Sequence, residues 1–335
     1  DLTSPKRRDR PGAPLGSRAT TRYARAMERL DGGSALPPAL RGGVVALGNF
    51  DGFHLGHQAV VGRAVDRARA EGRPALVATF DPHPVRYFNP AAPPFRLTTL
   101  DQRERLFAAA GADAMIVFRF DGALAGLTAE AFVAERLAGL FGAAAVVTGE
   151  DFTFGRARGG TAQVLGLLAA QHGMAAEAVA PVALGGEPVS SSRIRDALRQ
   201  GDCATAARLL TRPFTIEGVV QPGDQVGRTI GYPTANLALD RYLRPRYGIY
   251  AVRARLADGR LFGGAANLGI RPTFEPPKEL LETFLFDFDE TLYGQTLAVE
   301  LHAFLRPEAR FDGLDALKAQ MARDCDEARR VLEGR

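Results

Sequence analysis

The first half of the chain alternates apolar runs of strand length with segments of helical periodicity. The four apolar runs are GVVALGNF (43–50), ALVATF (75–80), DAMIVFRF (113–120) and AAAVVTG (143–149). Between the first two, residues at helical spacing are apolar until Gly72 and Pro74 end the pattern: Val60, Val61, Ala64, Val65 and Ala68. This alternation predicts an α/β domain with a parallel sheet, in which residues 43–80 form one βαβ unit.

Three more helices are predicted in this half. LDQRERLFAAAG (100–111) and TAEAFVAERLAGLFG (128–142) have helical periodicity. A final helix of the domain begins after SSSR (190–193), because a serine is a favoured N-cap residue.

After TRPF (211–214) the pattern changes to short runs separated by turn residues. These runs are TIEGVV (215–220), YGIYAVRARL (247–256), GRLFGGAANLG (259–269), LETFLFDF (281–288) and QTLAVELHAFLR (295–306). In the last run, apolar residues alternate with a period of two, which is typical of strands. The sequence therefore predicts a mostly antiparallel β-barrel, and helical spacing from Leu314 to Leu332 predicts an amphipathic helix that covers it.

Composition and length fit a globular protein with two domains. The chain has 335 residues, of which 46% are hydrophobic and 24% charged. The net charge of +4 is concentrated in residues 1–30, where eight Lys and Arg face three Asp and Glu. This Pro-, Gly- and Arg-rich segment lacks periodicity, so we expect a disordered basic leader over residues 1–36. The remainder is nearly neutral, and we therefore expect no nucleic-acid partner.

The expected location of the chain rests on absences in the sequence. No apolar run approaches the roughly 20 residues of a membrane span, and the leader lacks the apolar segment of a secretory signal. We expect a cytoplasmic protein without a membrane partner, as a monomer or weak homo-oligomer. Cys203 and Cys325 have no partners at metal-ligand spacing, which favours buried or free thiols over a disulfide.

The stretch ALGNFDGFHLGHQAVV (46–61) places two histidines at the start of the first predicted helix. A glycine-rich turn between a strand and a helix directs backbone N–H groups and the positive end of the helix dipole at one place, which attracts phosphate. His54 and His57, when protonated, can hydrogen-bond and neutralise oxygens of a phosphoryl group during transfer. A zinc site and core histidines are the alternatives. HxxH without a third ligand disfavours zinc, and the flanking glycines argue against a packed interior.

Two other motifs suit phosphate chemistry. VSSSRIRDAL (189–198) supplies hydroxyls and arginines at a second helix start, although in isolation an N-cap followed by a solvated basic turn is the better explanation. In PTAN, Thr234 and Asn236 alternate onto one face of an extended segment, where their oxygens suit Mg²⁺. A simple turn is the alternative reading of PTAN.

The order of motifs in the first half resembles a known family. GNFDGFHLGH (48–57), TFDPHP (79–84), GEDFTFG (149–155) and the serine-rich motif resemble the adenylyltransferase half of prokaryotic bifunctional riboflavin kinase/FMN adenylyltransferases, also called FAD synthetases. The resemblance implies a Rossmann-like nucleotidylyltransferase domain over residues 37–205. It implies that His54 and His57 contact the α-phosphate of ATP, and that His83 and Asp151 line the flavin site. Further ATP or phosphate contacts would be Gly48, Asn49, Phe50, Gly56, Ser191, Ser192 and Arg195.

The second half resembles the riboflavin kinase domain of the same family, which implies a kinase domain over residues 206–335. IGYPTANL (230–237), YGIYAV (247–252), NLGIRPTF (267–274) and LETFLFDFDETLYG (281–294) carry this resemblance. It implies that Thr234 and Asn236 hold Mg²⁺ and nucleotide phosphates, with Gly227, Arg228 and Gly231 also at the nucleotide. Glu282 would be the base for the 5′-hydroxyl of riboflavin.

The resemblance implies two reactions on one chain. Riboflavin and ATP would give FMN, and FMN with a second ATP would give FAD and pyrophosphate, both steps with Mg²⁺. Two rival hypotheses are a monofunctional transferase with one degenerate site, and a nucleic-acid-binding protein that uses the basic leader. Both motif sets are intact, which disfavours the first, and salt-sensitive binding that is lost with residues 1–30 would support the second.

Overall fold

The computed structural model describes residues 27–222, 232–271 and 278–334. Within them, the chain forms one six-stranded parallel sheet and one six-stranded antiparallel sheet, together with two short ribbons. The fold class predicted from the sequence is confirmed.

Within the described residues, the first part of the chain contains ten strands and eight α-helices. Its strands are β1 (Glu28–Asp31), β2 (Val44–Leu47), β3 (Ala75–Asp81), β4 (Ala114–Arg119), β5 (Ala145–Gly149), β6 (Thr153–Phe154), β7 (Gly160–Thr161), β8 (Ala175–Val179), β9 (Ala183–Leu184) and β10 (Glu187–Pro188). Its helices are α1 (Leu55–Glu71), α2 (Pro84–Phe88), α3 (Leu100–Ala109), α4 (Gly122–Gly126), α5 (Ala129–Ala131), α6 (Ala162–Gln171), α7 (Ser191–Gln200) and α8 (Cys203–Leu210). A π-helical segment, Phe132–Leu140, continues α5.

The parallel sheet has the strand order β1-β4-β3-β2-β5-β8. Successive residues of a strand face opposite sides of the sheet. In β2, Val44 and Ala46 accordingly belong to one hydrophobic core, and Val45 and Leu47 belong to another. Helix α1 packs its predicted apolar face into the first core and ends at Gly72, whose left-handed backbone (φ 64°) caps it. The predicted βαβ unit is therefore confirmed.

Several elements differ from the sequence-based predictions. Residues Glu28–Asp31 were assigned to the disordered leader, but they form β1, which pairs in parallel with β4. Three of these four residues are charged, so no apolar pattern revealed a strand whose hydrogen bonds come from a distant segment. Strand β8 and helix α8 were also missed, and α8 shows that α7 is not the final helix of this part.

The second part is a curled antiparallel sheet. It contains β11 (Phe214–Val219), β12 (Thr234–Ala238), β13 (Gly248–Leu256), β14 (Leu261–Arg271), β15 (Lys278–Leu285) and β16 (Thr296–Arg306), followed by α9 (Leu314–Leu332). The strand order is β11-β16-β13-β14-β15-β12, and a bridge between Gln221 and Asn236 brings the two edge segments together. Helix α9 packs on β13, β14 and β16 as predicted, although Leu314 at its start is 50% exposed.

The two parts share a hydrophobic core and backbone hydrogen bonds. Apolar residues of α7 and α8 belong to the same buried cluster as the interior of the antiparallel sheet. Arg96 pairs with the segment before β13: its N–H donates to Arg241 O over 3.2 Å, and its carbonyl accepts from Leu243 N over 2.8 Å. The two parts are therefore packed against each other and are not joined only by a linker.

Two further expectations concern cysteines and membranes. Cys203 and Cys325 are free, as predicted. No helix among the described residues is both long and apolar enough to cross a bilayer.

Candidate active sites

The first candidate site lies at the topological switch point of the parallel sheet, where the strand order reverses. Strand β2 has β3 on one side and β5 on the other, so the loops that follow β2 and β5 diverge at their carboxyl ends. Ligands of open parallel sheets bind in such a crevice. Three buried polar atoms near it have no hydrogen-bond partner among the described residues: Asn49 Oδ1, His57 Nδ1 and Thr148 Oγ1. Since buried polar groups are normally paired, these atoms mark a place for a polar ligand.

His54 and His57 are stacked at the start of α1. Their ring centroids lie 3.6 Å apart with an interplanar angle of 20°. His54 is the N-cap, and its Nδ1 accepts a hydrogen bond from His57 N over 3.4 Å. This bond leaves the proton of neutral His54 on Nε2, where it can be donated to an anion.

Burial makes both imidazoles neutral at pH 7. His54 is only 6% exposed, and burial lowers its pKa to about 4. Burial also lowers the pKa of His57 well below its ordinary value, and the adjacent His54 lowers it further. One expectation is therefore wrong for the ligand-free chain, because the flanking glycines do not keep His54 out of the interior. In this ligand-free state the two imidazoles are N–H donors.

The glycines of this loop have specific steric roles. A Cβ atom at position 56 would lie 3.2 Å from His54 Cε1, and one at position 48 would lie 2.9 Å from Phe50 Cζ. Phe50 is buried and meets the His57 ring edge-on at 5.3 Å between centroids. Gly48 and Gly56 thus permit the ring arrangement, and the Phe50 side chain supports His57 from the interior.

Asp51 connects the histidine loop to α7. Its carboxylate accepts hydrogen bonds from the backbone of Leu97 and Thr98 at 3.0 Å and from Arg195 Nη2 at 2.8 Å. The Ser191 hydroxyl donates to the Asp51 carbonyl over 2.9 Å. The structure therefore brings Ser191 and Arg195 to the histidine loop, and Arg195 is already paired with a carboxylate.

The other predicted residues of this site are more dispersed. Ser192 and Asp151 are exposed, and Asp151 lies in the turn after β5. His83 caps α2, with Nδ1 accepting from Val85 N over 3.2 Å, and lies in a pocket that Asp51 also lines. Among the described residues, no hydrogen bond or ion pair joins Asp151 to His54 or His57, so the structure does not bring those three side chains together.

The second candidate site lies on the antiparallel sheet. In the pairing of β12 with β15, Asn236 is opposite Glu282 and Thr234 is opposite Phe284. Directly opposed residues project from the same face of a sheet, so Thr234, Asn236 and Glu282 share one face. The oxygen Oδ1 of Asn236 is buried and has no hydrogen-bond partner among the residues that the structure describes. Gly227, Arg228 and Gly231, also predicted here, lie outside the described residues.

Sequence reasoning missed Asn267 at this second site. Glu282 of β15 is opposite Asn267 of β14 as well as Asn236 of β12, so two carboxamides flank the carboxylate. Asn267 Oδ1 is also buried, again without a hydrogen-bond partner in the described part of the chain. Its place within the NLGIRPTF motif was the available signal. No cluster of three or more His, Cys, Asp or Glu suited to a metal occurs in the described part of the chain.

Fold and site together define a class: a nucleotide-binding α/β domain with an HxGH loop at its switch point, joined to an antiparallel barrel with a second polar site. Comparisons of the sequence agree. The FAD synthetase family model matches residues 36–193, and the riboflavin kinase family model matches residues 210–332. The chain belongs to the bifunctional riboflavin kinase/FMN adenylyltransferase family.

Individual relatives extend over most of the chain. The bifunctional riboflavin kinase/FMN adenylyltransferase of Haemophilus influenzae is 37% identical, covering 87% of this chain and 94% of its own. That of Escherichia coli K12 is 38% identical, covering 84% and 90%. A solved chain described as a macrolide-efflux protein from Streptococcus pneumoniae is 32% identical with a TM-score of 0.80, covering 90% of this chain and 99% of its own.

Proposed function

We propose that the chain makes FAD from riboflavin in two steps at two separate sites. ATP phosphorylates riboflavin to FMN at the antiparallel barrel, with release of ADP. A second ATP then adenylylates FMN at the parallel-sheet domain, with release of pyrophosphate. The observation that carries this proposal is that both family matches occur on one chain and that each spans a cluster of unpartnered buried polar atoms. We retain 37–205 and 206–335 as the two catalytic domains.

In the adenylyl transfer, a phosphate oxygen of FMN attacks the α-phosphorus of ATP and pyrophosphate leaves. His54 and His57 hold the α-phosphate through N–H groups, because charge that grows on its oxygens is stabilised by fixed donors. Ser191, Ser192 and Arg195 contact the departing pyrophosphate, and the 2.8 Å bond from Arg195 to Asp51 fixes the guanidinium beside the histidine loop. His83 and Asp151 line the flavin side.

The nucleotide-binding loop has a supporting role in this step. We assign Gly48, Asn49, Phe50 and Gly56 to the ATP contacts. Asn49 supplies an amide whose Oδ1 has no other partner in the described ranges, and the glycines allow close approach of the backbone. Phe50 contributes through its main chain, since its side chain is buried against His57.

In the kinase step, Glu282 accepts the proton of the riboflavin 5′-hydroxyl while that oxygen attacks the γ-phosphorus of ATP. Phosphoryl transfer has a loose transition state, so the proton can leave late and orientation lowers much of the barrier. Asn236 and Asn267, which flank Glu282 across the sheet, support its orientation. Gly227, Arg228 and Gly231 are assigned to the nucleotide by sequence alone.

Magnesium fits the second site on the basis of its donor atoms. Thr234 and Asn236 offer neutral oxygens on one face of β12, and Asn236 Oδ1 has no partner within the described residues. Oxygen ligands of this kind suit Mg²⁺, which takes further ligands from phosphate and water. When bound, the ion would neutralise charge on the ATP phosphates.

The two leaving groups, ADP and pyrophosphate, test the two sites independently. With riboflavin and ATP the chain should release ADP, and with FMN and ATP it should release pyrophosphate. ADP without pyrophosphate, or pyrophosphate without ADP, would show a monofunctional transferase. Neither product would contradict the proposal entirely.

A further inference from the structure

A pocket lies at the junction of the two parts of the chain. Its lining residues from the parallel-sheet part are Asp51, His83, Arg86, Phe95, Arg96 and Arg103, and Arg241 comes from the segment that leads to β13. The backbone pairing between Arg96 and the 241–243 segment holds Arg241 at this position. The antiparallel part therefore contributes a side chain to a pocket that adjoins the adenylyltransferase site.

The charges around the pocket are not balanced. Asp51 is neutralised by Arg195, and Arg96 by Asp81. Arg86, Arg103 and Arg241 form no ion pair with any carboxylate of the described ranges. Arg86 donates only to backbone carbonyls, including that of Pro90 at 2.9 Å. Asp51 and Asp81 act on Arg103 electrostatically without forming an ion pair with it, and the guanidinium groups around the pocket still outnumber the carboxylates.

The buried Arg103 side chain makes this excess of positive charge costly in free energy. It is 3% exposed, and its Nη1 donates to Asn49 O over 3.1 Å and to Thr79 Oγ1 over 2.8 Å, both neutral acceptors. Its Nε has no hydrogen-bond partner within residues 27–222, 232–271 and 278–334. Burying an unpaired charge is costly, and an anion in the pocket would offset that cost.

His83 does not add to the charge. Burial lowers its pKa to about 4, so the imidazole is neutral near pH 7 and the positive field comes from the arginines. The planar guanidinium fork matches the oxygens of a phosphate group, which accepts several charge-assisted hydrogen bonds at once.

We propose that this junction pocket binds a dianionic phosphate group, with Arg103 and Arg241 as two of its ligands. The phosphate of FMN and free inorganic phosphate share this chemistry. The FMN alternative rests on the proposed function, whereas binding of inorganic phosphate does not. In either case the barrel part completes an anion site of the other domain.

The first experiment measures binding of inorganic phosphate by calorimetry at constant ionic strength. Arg241→Ala removes an exposed side chain, so folding should be retained. Arg103→Lys keeps the buried positive charge but removes the planar guanidinium group. Each variant should bind phosphate about 10- to 100-fold more weakly, as expected for loss of a charge-assisted hydrogen bond. The control Arg330→Ala changes an exposed residue of α9 and should bind phosphate as the wild type does.

The second experiment measures the KM for FMN in adenylylation with the same variants. A raised KM with unchanged kcat in Arg241→Ala identifies the FMN phosphate as the ligand. Weaker phosphate binding with an unchanged KM identifies free phosphate. Wild-type affinity for phosphate together with a wild-type KM in both variants would overturn the pocket assignment. A wild-type chain that makes no FAD would instead contradict the proposed function.

Discussion

Arg195 Nη2 lies 2.8 Å from Asp51 Oδ2, and this ion pair joins α7 to the loop that carries both histidines. The same carboxylate receives two backbone N–H groups from Leu97 and Thr98. Asp51 therefore holds the histidine loop, the 97–98 segment and α7 in one fixed arrangement.

Loss of Arg195 should affect both stability and activity. Arg195→Ala leaves the Asp51 carboxylate buried without its cation, and breaking a buried pair in this way costs about 3 kcal/mol of unfolding free energy. Urea unfolding measures that cost, and FAD formation from FMN should fall in parallel. The double variant Asp51→Asn with Arg195→Ala should lose less stability than the two single losses added together. Additive losses would show that the pair is not coupled.

Gly56 should be sensitive to a single methyl group. In Gly56→Ala the new Cβ would lie 3.2 Å from His54 Cε1, so the imidazole must move. We expect FAD formation from FMN to fall about 10- to 100-fold, because small displacements of positioned groups have effects of this size. The matched control is Gly62→Ala in the same helix, where an added Cβ has no neighbour within 4 Å. That variant should keep its activity and gain about 1 kcal/mol in stability.

Stability should fall as the pH drops below 6.5, since the folded chain keeps His54 neutral. The pKa of His54 is about 4 in the folded chain and 6.5 ordinarily, so between these values the unfolded chain binds a proton that the folded chain does not. The stability lost is up to about 1.4 kcal/mol per pH unit. His54→Asn keeps an N-cap acceptor but does not titrate. Its unfolding free energy should therefore depend less on pH between 7 and 5, and an unchanged dependence would refute the assignment.

Glu282 should be needed for one reaction only. Glu282→Gln removes the base, and we expect riboflavin phosphorylation to slow about 100- to 10,000-fold while adenylylation of FMN is unchanged. Glu279→Gln is a control on the same strand, because an offset of three residues places Glu279 on the opposite face, where it pairs with Arg244. A similar loss of both activities in Glu282→Gln would indicate a structural rather than a chemical effect.

Local patterns accounted for much of the fold and for the residues of the histidine loop. Apolar periodicity located β2, α1 and β3, because each buries a face that its own sequence defines. Strand β1 escaped detection because its hydrogen bonds come from β4, more than 80 residues away. The same limitation applies to Arg241: nothing near it in sequence indicates that it faces His83 across the junction.

The protonation states of the site residues could not be predicted from the sequence either. The motif identified His54 and His57, but their neutrality depends on burial among residues that the motif does not contain. Similarly, Arg195 was predicted as a phosphate contact, and its bond to Asp51 became visible only in the fold. Its role at the pyrophosphate stays a prediction.

The most direct test of the central claim is a time course with the purified chain, riboflavin, ATP and Mg²⁺, in which the flavins are separated by chromatography. Two sites on one chain predict that FMN appears first and then declines as FAD accumulates, and that His57→Ala stops the sequence at FMN. FMN that persists in the wild type, or no flavin product even when FMN is supplied directly, would contradict the account.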